Sequence, residues 1–168
     1  MKLRYFIISY VVVCLFGVFS HFAYDILDFP FLKVIFPTNE SIFEHLKLIV
    51  FPALFFTIFD VLYSKDKDAF KIDIFGLLVA LIFLIMSYYT YSGIIGKNID
   101  FMNILLFLIS FLIFFIIRYK KITPFGKTNS VIVLIIIILL IEIFTFKPLN
   151  IPFFTNYWEL FQTDSGAV

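Results

Sequence analysis

Long apolar runs alternate with short polar stretches along this chain. Five of the runs have about the length of 20 residues that an α-helix needs to cross a hydrocarbon core of about 30 Å. Helices satisfy their own backbone hydrogen bonds and can therefore cross lipid. The pattern predicts one all-α domain, 1–168, that is an integral membrane helix bundle. The predicted spans are about 5–24, 42–63, 72–93, 101–119 and 131–146, with interfacial segments at about 26–38 and 148–162.

Two features of the apolar runs concern helix packing. Pro52 lies inside the second run and has no N–H, so the Leu48 carbonyl lacks its usual intrahelical donor. Gly76 and Ala80 are four residues apart in the third run, a spacing of small residues that predicts close approach of another helix.

Lys and Arg residues are unevenly divided between the two predicted sides of the membrane. Positively charged loops tend to stay in the cytoplasm, so we expect the N-terminus inside the cell and the C-terminus outside. The larger group, predicted to be cytoplasmic, is Lys2, Arg4, Lys65, Lys67, Lys71, Arg118, Lys120, Lys121 and Lys127, and the smaller group is Lys33, Lys47, Lys97 and Lys147.

Composition agrees with a membrane protein. Of the 168 residues, 62% are hydrophobic and 15% are charged, whereas soluble chains are about 45–50% apolar and about 25% charged. The expected partner is therefore the lipid bilayer. A net charge of +1 argues against nucleic acid as a partner.

Polar side chains collect near the outer ends of the predicted spans. By helical rise, His21 lies about 24 Å from the inner start of the first span. The inner half of the bundle holds little besides Asp60 and Ser64, so any chemistry is expected at the outer end. The outer layer comprises His21, His45, Tyr88, Asn103 and Glu142.

The first span carries a stripe of small and polar residues. His21 and Asp25 are four apart and share a helix face, which Cys14 and Gly17 continue inwards. Such a stripe usually faces the bundle interior. Two interpretations stay open: His21 and Asp25 hydrogen-bond to each other at the interface, or they belong to a site.

The densest polar motif begins the second span. Ser41 and Glu44 have the spacing of a capping box, which would explain both without any further role. Glu40 is expected on the same helix face as Glu44, and His45 about 100° further round. Glu44 and His45, together with His21 of the first span, are candidate catalytic residues. The candidate substrate-binding residues of the motif are Asn39, Glu40 and Lys47, of which Lys47 would hold an anionic headgroup.

Three further candidates lie in the other spans. Glu142 is a carboxyl group in an otherwise apolar run, where it needs a partner or a role. It is a candidate catalytic residue, or a protonated group bonded to a neighbouring helix. Tyr88 and Tyr91 suit an aromatic belt at the membrane interface, and they are also candidate substrate-binding residues if they point inwards.

Two histidines with carboxylates match the ligand set of a catalytic zinc ion, which keeps one position open for water. The chain has two histidines, and both fall in the outer layer. A divalent metal such as zinc is therefore a candidate cofactor, with His21, Asp25 and His45 as ligands. The spacing matches no fixed metal motif, so this hypothesis depends on residue types and depth.

The segment 39–48 reads Asn-Glu-Ser-Ile-Phe-Glu-His-Leu-Lys-Leu and is followed by Phe51-Pro52. It resembles a family of small bacterial multi-pass membrane proteins described only as a domain of unknown function. Three further stretches, at 21–24, 89–98 and 144–154, resemble the same family. The resemblance implies a multi-pass protein of the bacterial cytoplasmic membrane and no particular reaction. The resembling stretches mark the same outer layer of polar side chains that helical rise identifies.

Three functions fit these patterns. The first is a membrane-embedded hydrolase or transferase that acts on a lipid or envelope substrate from outside. The second is a small-molecule transport or substrate-binding membrane subunit, and the third is a non-catalytic accessory protein. A transporter usually needs a polar route through the inner half, which is scarce here. We expect one outer cavity to be lined by His21, Asp25, Glu44, His45 and Glu142.

Overall fold

A computed structural model describes residues 2–27, 29–151 and 153–154 of the protein, with Asp25 described in its backbone only. The described residues form five α-helices and one 3₁₀-helix, Pro30–Val34, and no strand. The predicted all-α bundle is therefore confirmed, and each of these five helices is long and apolar enough to cross a membrane. The helices are α1 (Leu3–Leu27), α2 (Ile42–Tyr63), α3 (Ala69–Ile95), α4 (Asp100–Lys120) and α5 (Lys127–Phe146).

Most helices extend beyond the apolar runs. α2 has the bounds of its run, whereas α3 starts three residues earlier and ends two later. Polar residues can continue a helix where the lipid core ends, so an apolar run underestimates helix length. As a result, Asp73 lies a full turn inside α3.

The helices pack around α3. This helix contacts α2, α4 and α5, while α1 packs against α2 and α4. Aromatic rings join the elements: Phe56 of α2 meets Phe114 and Phe115 of α4 with ring centroids 5.7 and 4.8 Å apart. Most side chains of α5 are not buried by the protein, so lipid is expected to cover this helix.

α1 approaches α2 closely at Gly17. A Cβ atom at this position would lie 3.1 Å from the Leu48 oxygen and 2.6 Å from a ring atom of Phe107. The Leu48 carbonyl is the one that Pro52 deprives of its intrahelical donor. Glycine at position 17 thus lets the α1 backbone approach the Leu48 carbonyl, which has no intrahelical donor.

The close approach predicted in α3 is confirmed. A Cβ atom at Gly76 would lie 3.2 Å from the Phe114 ring and 3.3 Å from the Phe114 carbonyl oxygen. Ala80, one turn further, is fully buried.

We call the bundle end that holds His21 and His45 the histidine end, and the opposite end, which holds Arg118, the arginine end.

Gly17→Ala is expected to destabilise the bundle, because the added methyl group overlaps Phe107 and presses on the Leu48 carbonyl. Overpacking of this kind costs about 1–3 kcal/mol. Gly93→Ala is the matched control, since a Cβ atom at this helical position meets nothing within 4 Å. It should be neutral, or stabilise by up to about 1 kcal/mol through helix propensity. Thermal unfolding in detergent measures both, and equal effects would contradict the close contact.

Candidate functional site

Two histidines and a glutamate meet where α1 ends and α2 begins. His21 Nε2 lies 3.7 Å from Glu40 Oε2, and His45 Nε2 lies 3.4 Å from the same oxygen. The imidazole centroids are 5.3 Å apart. One ligand atom from each residue lies within 4.8 Å of those of the other two, so the three groups face a common point. We call this set the His–Glu cluster.

A backbone hydrogen bond orients one of the two imidazoles. His45 Nδ1 lies 2.8 Å from the Ser41 carbonyl oxygen. A carbonyl only accepts, so Nδ1 carries the hydrogen, and Nε2 is the ring nitrogen that faces Glu40. In the neutral ring, Nε2 is also the nitrogen with a lone pair for a metal ion. Metal-binding histidines are commonly fixed in this way by a bond to the other ring nitrogen.

The His–Glu cluster is partly open to solvent. The side chains of His21, His45 and Glu40 are 30%, 25% and 62% exposed. The adjacent His45 imidazole lowers the pKa of the Glu40 carboxyl, which keeps this group anionic. The cluster therefore combines two nitrogen donors, one carboxylate and access for a further ligand.

The loop before α2 places Glu40. The Ser41 hydroxyl accepts a hydrogen bond from the Glu44 N–H at 3.3 Å, which confirms the predicted N-cap. The other half of the capping box is not formed, because Ser41 N–H donates to the Asn39 side chain at 2.9 Å. The expectation that Glu40 shares a helix face with Glu44 is wrong. α2 begins at Ile42, so Glu40 lies in the loop and turns towards α1.

Glu44 and Lys47 form a separate, enclosed network. The Lys47 ammonium donates to Glu44 Oε2 at 2.8 Å and to the Lys33 carbonyl at 2.6 Å. The same carboxylate oxygen accepts from Thr38 N–H at 2.8 Å. Glu44 is 4% exposed and Lys47 is fully buried. These bonds tie the preceding loop to α2, and their geometry favours a structural role for both side chains.

The remaining candidates lie apart from the His–Glu cluster. Glu142 is half-buried and within electrostatic range of Lys47. The Tyr91 hydroxyl bonds to the side chains of Asn98 and Asn103, and thereby joins the end of α3 to the start of α4. Tyr88 is buried and packs edge-on against Tyr91, with ring centroids 5.5 Å apart.

The expected single cavity is therefore divided. The structure brings His21 and His45 together with Glu40, which the sequence had grouped with substrate binding rather than with metal ligands. Glu44 is directed at Lys47 instead. Asp25 lies one turn beyond His21 in α1, and its side chain falls outside the part of the chain that the structure describes.

The arginine end holds a charged cluster that the sequence analysis did not predict. Arg118 Nε lies 2.6 Å from Asp60 Oδ2 and 3.2 Å from Asp73 Oδ1. Its Nη1 donates to Asp66 at 3.1 Å, and Lys121 pairs with the same carboxylate at 2.9 Å. Arg118 is 1% exposed and both inner aspartates are fully buried. The expectation of little polarity at this end is wrong.

The matching depths of three residues could have revealed the charged cluster. Asp60, Asp73 and Arg118 each lie within about one turn of the helix end on this side. Nearby, Lys121 and Arg118 lower the pKa of the Asp66 carboxyl, so this loop residue is anionic.

Comparison with known proteins gives a family without a known reaction. No curated protein and no solved structure matches the chain. A family model described as a family of unknown function, DUF6512, matches residues 1–159. The match covers the five helices, the His–Glu cluster and the charged cluster at the arginine end. The chain therefore belongs to the family of unknown function DUF6512.

Proposed function

We propose that this protein is a membrane-embedded, metal-dependent hydrolase or transferase that acts on a lipid or envelope substrate. The convergence of His21, Glu40 and His45 on a common point carries this proposal. The charge bias of the loops favours a site on the outer face of a bacterial cytoplasmic membrane. Each of these three residues lies within the part of the chain that matches the family.

The spacing of the His–Glu cluster suits zinc. Zinc–nitrogen bonds of about 2.0–2.1 Å in a tetrahedral site place neighbouring ligand atoms about 3.3 Å apart. The two contacts to Glu40 Oε2, at 3.7 and 3.4 Å, are close to this spacing. Small rotations of the His21 and His45 side chains would complete it. Two imidazoles and one carboxylate leave a fourth position, which solvent can reach.

A zinc ion in this position would lower the pKa of a bound water to about 7 and polarise a carbonyl or phosphoryl oxygen. The chain would supply orientation, through the Ser41 carbonyl that fixes His45. It would also supply the anionic Glu40 carboxylate at the solvent side. This chemistry suits hydrolysis or transfer at an ester or phosphate bond.

The position of the His–Glu cluster favours a lipid-level substrate. His21 is in the last two turns of α1, beside Phe22 and Ile26, whose side chains are 55% and 70% exposed. Such apolar side chains would meet acyl chains, while the imidazole lies at headgroup depth. The ester and phosphate bonds of a lipid lie at that depth.

A second candidate function is that of a non-catalytic accessory protein. The Glu44–Lys47 network favours it, because these buried polar groups bond to each other and to backbone carbonyl and amide groups. Polar groups in that network serve to join the loop to α2, and need no ligand.

Zinc content is the first test of the metal site. Wild-type protein should purify with about one zinc ion per chain, and added zinc should raise its unfolding midpoint, because a ligand that binds the folded state stabilises it. The double variant His21→Gln, His45→Gln should lose both properties. Glu142→Gln, which alters a carboxyl group of the same layer outside the cluster, should keep them. Zinc retained by the double variant would rule out this site.

Variants of two carboxylates distinguish a metal site from a purely structural role. Glu40→Gln changes a side chain that is 62% exposed, so the protein should fold normally and lose zinc affinity by about 10-fold or more. Glu44→Gln leaves the buried Lys47 ammonium without its carboxylate, which should cost about 3–5 kcal/mol of stability. The folded fraction should still bind zinc. If Glu40→Gln destabilises as much as Glu44→Gln and leaves zinc binding intact, the accessory role is correct.

Membrane topology decides on which side of the membrane the His–Glu cluster is accessible. Reporter fusions after Lys67 and after Lys121 should report a cytoplasmic position, and fusions after Lys97 and at the C-terminus an external one. The His–Glu cluster lies at the same end as Lys97. A cytoplasmic signal from the Lys97 fusion would place the site inside the cell and exclude an envelope substrate.

A further inference from the structure

The arginine end holds a buried carboxyl group that the proposed function does not use. Asp73 of α3 is fully buried, and neither of its carboxyl oxygens has a hydrogen-bond donor among the described residues. Asp60 of α2 is also fully buried, and its Oδ1 lacks a donor in the same set. A carboxylate that is removed from water without donors is unfavourable, and protonation removes the charge.

The guanidinium group of Arg118 offsets the negative charge of one of these two carboxyl groups. Its Nε donates to Asp60 at 2.6 Å, whereas its nearest contact with Asp73 is 3.2 Å from the same nitrogen. One N–H cannot be directed at both acceptors. The Nη1 group is directed at Asp66, which also pairs with Lys121. Three carboxyl groups thus face two cations, and Asp73 is the carboxyl without a directed donor.

The nearest hydroxyl group is bonded to the backbone instead of to Asp73. Thr57 lies beside Asp73 and donates its hydroxyl hydrogen to the Ala53 carbonyl at 2.9 Å. The Thr57 oxygen can then only accept a hydrogen bond. Thr57 thus leaves the Asp73 carboxyl group without a hydroxyl donor.

We propose that the Asp60–Asp73 pair is a proton-binding site, with the proton on Asp73 and the charge on Asp60 held by Arg118. The site is built by α2, α3 and α4 and is independent of the His–Glu cluster. Further titratable or charged groups reach it from α1, from the α2–α3 loop and from the residue after α4. They are Tyr5, Asp66 and Lys121.

A solvent-filled cleft lies against the Asp60–Arg118 side of this site. It has a volume of about 850 Å³ and is lined by Asp60 and Arg118 together with exposed residues such as Lys65. The cleft therefore brings solvent up to the Asp60 side of the pair. A metal cation is disfavoured, because the Arg118 guanidinium already lies against both carboxyl groups.

Infrared difference spectroscopy of the purified full-length protein at neutral pH tests the proton directly. The wild-type minus Asp73→Asn spectrum should contain the C=O stretch of a protonated carboxylic acid. Asp66→Asn is the matched control and should show carboxylate bands alone, because Asp66 is ionised beside Lys121. If the acid band is missing from the Asp73 difference, or present in the control, the proposal is overturned.

Thermal unfolding supplies the second readout. Asp73→Asn replaces one neutral group by another of similar size, so the unfolding midpoint should stay within about 2 °C of wild type. Asp60→Asn leaves the buried guanidinium without its charged partner and should lower the midpoint by at least about 5 °C. An equal loss in Asp73→Asn would mean that Asp73 is ionised. A sodium-dependent midpoint, relative to choline, that disappears in Asp73→Asn would mean a metal cation in place of the proton.

Discussion

A lipid bilayer offers no hydrogen-bond partners, so every polar group inside the bundle must be satisfied by the bundle itself. Side-chain hydroxyl groups meet this requirement by bonding to the carbonyl one turn back, as Ser20, Thr57 and Ser110 do at 2.7 to 2.9 Å. The buried Lys47 ammonium meets it with a carboxylate and a loop carbonyl. The candidate ligand sites are the exceptions to this enclosure: the His–Glu cluster is partly open to solvent, and the carboxyl oxygens of Asp73 have no hydrogen-bond donor among the described residues.

The same requirement explains why the helices could be predicted from sequence. The length of an apolar run is set by the thickness of the lipid core, and α2 has the bounds of its run. The rotation of each helix about its own axis is harder to predict from sequence. Where a helix is apolar on all sides, as in most of α3, periodicity does not say which face meets a neighbour. Small residues were the useful exception, since Gly76 and Ala80 marked the contact with α4 correctly.

The candidate site was predicted in part, and the errors have physical causes. Depth along the helices brought His21 and His45 to one level, and they do lie together. Glu40 was misplaced because the helix-face argument assumed a helix that starts before Ile42. At the other end, Arg118 lies inside the predicted fourth span and had been counted only as a topology signal. Its burial against Asp60 depends on how α2 and α4 rotate against each other, which a single sequence does not specify.

The geometry of the His–Glu cluster is set by residues that are not its candidate ligands. Gly17 lies one turn before His21 on the same face of α1, and it contacts Leu48, which lies one turn after His45 in α2. The distance between the two helices at this contact therefore fixes the distance between the imidazoles. The loop that carries Glu40 is fixed separately, because Thr38 N–H donates to the Glu44 carboxylate that also pairs with Lys47. Because a metal site tolerates errors of only about 0.5 Å in its ligands, the buried Glu44–Lys47 network and the glycine contact act together. Together they hold His21, Glu40 and His45 in position without being part of the cluster.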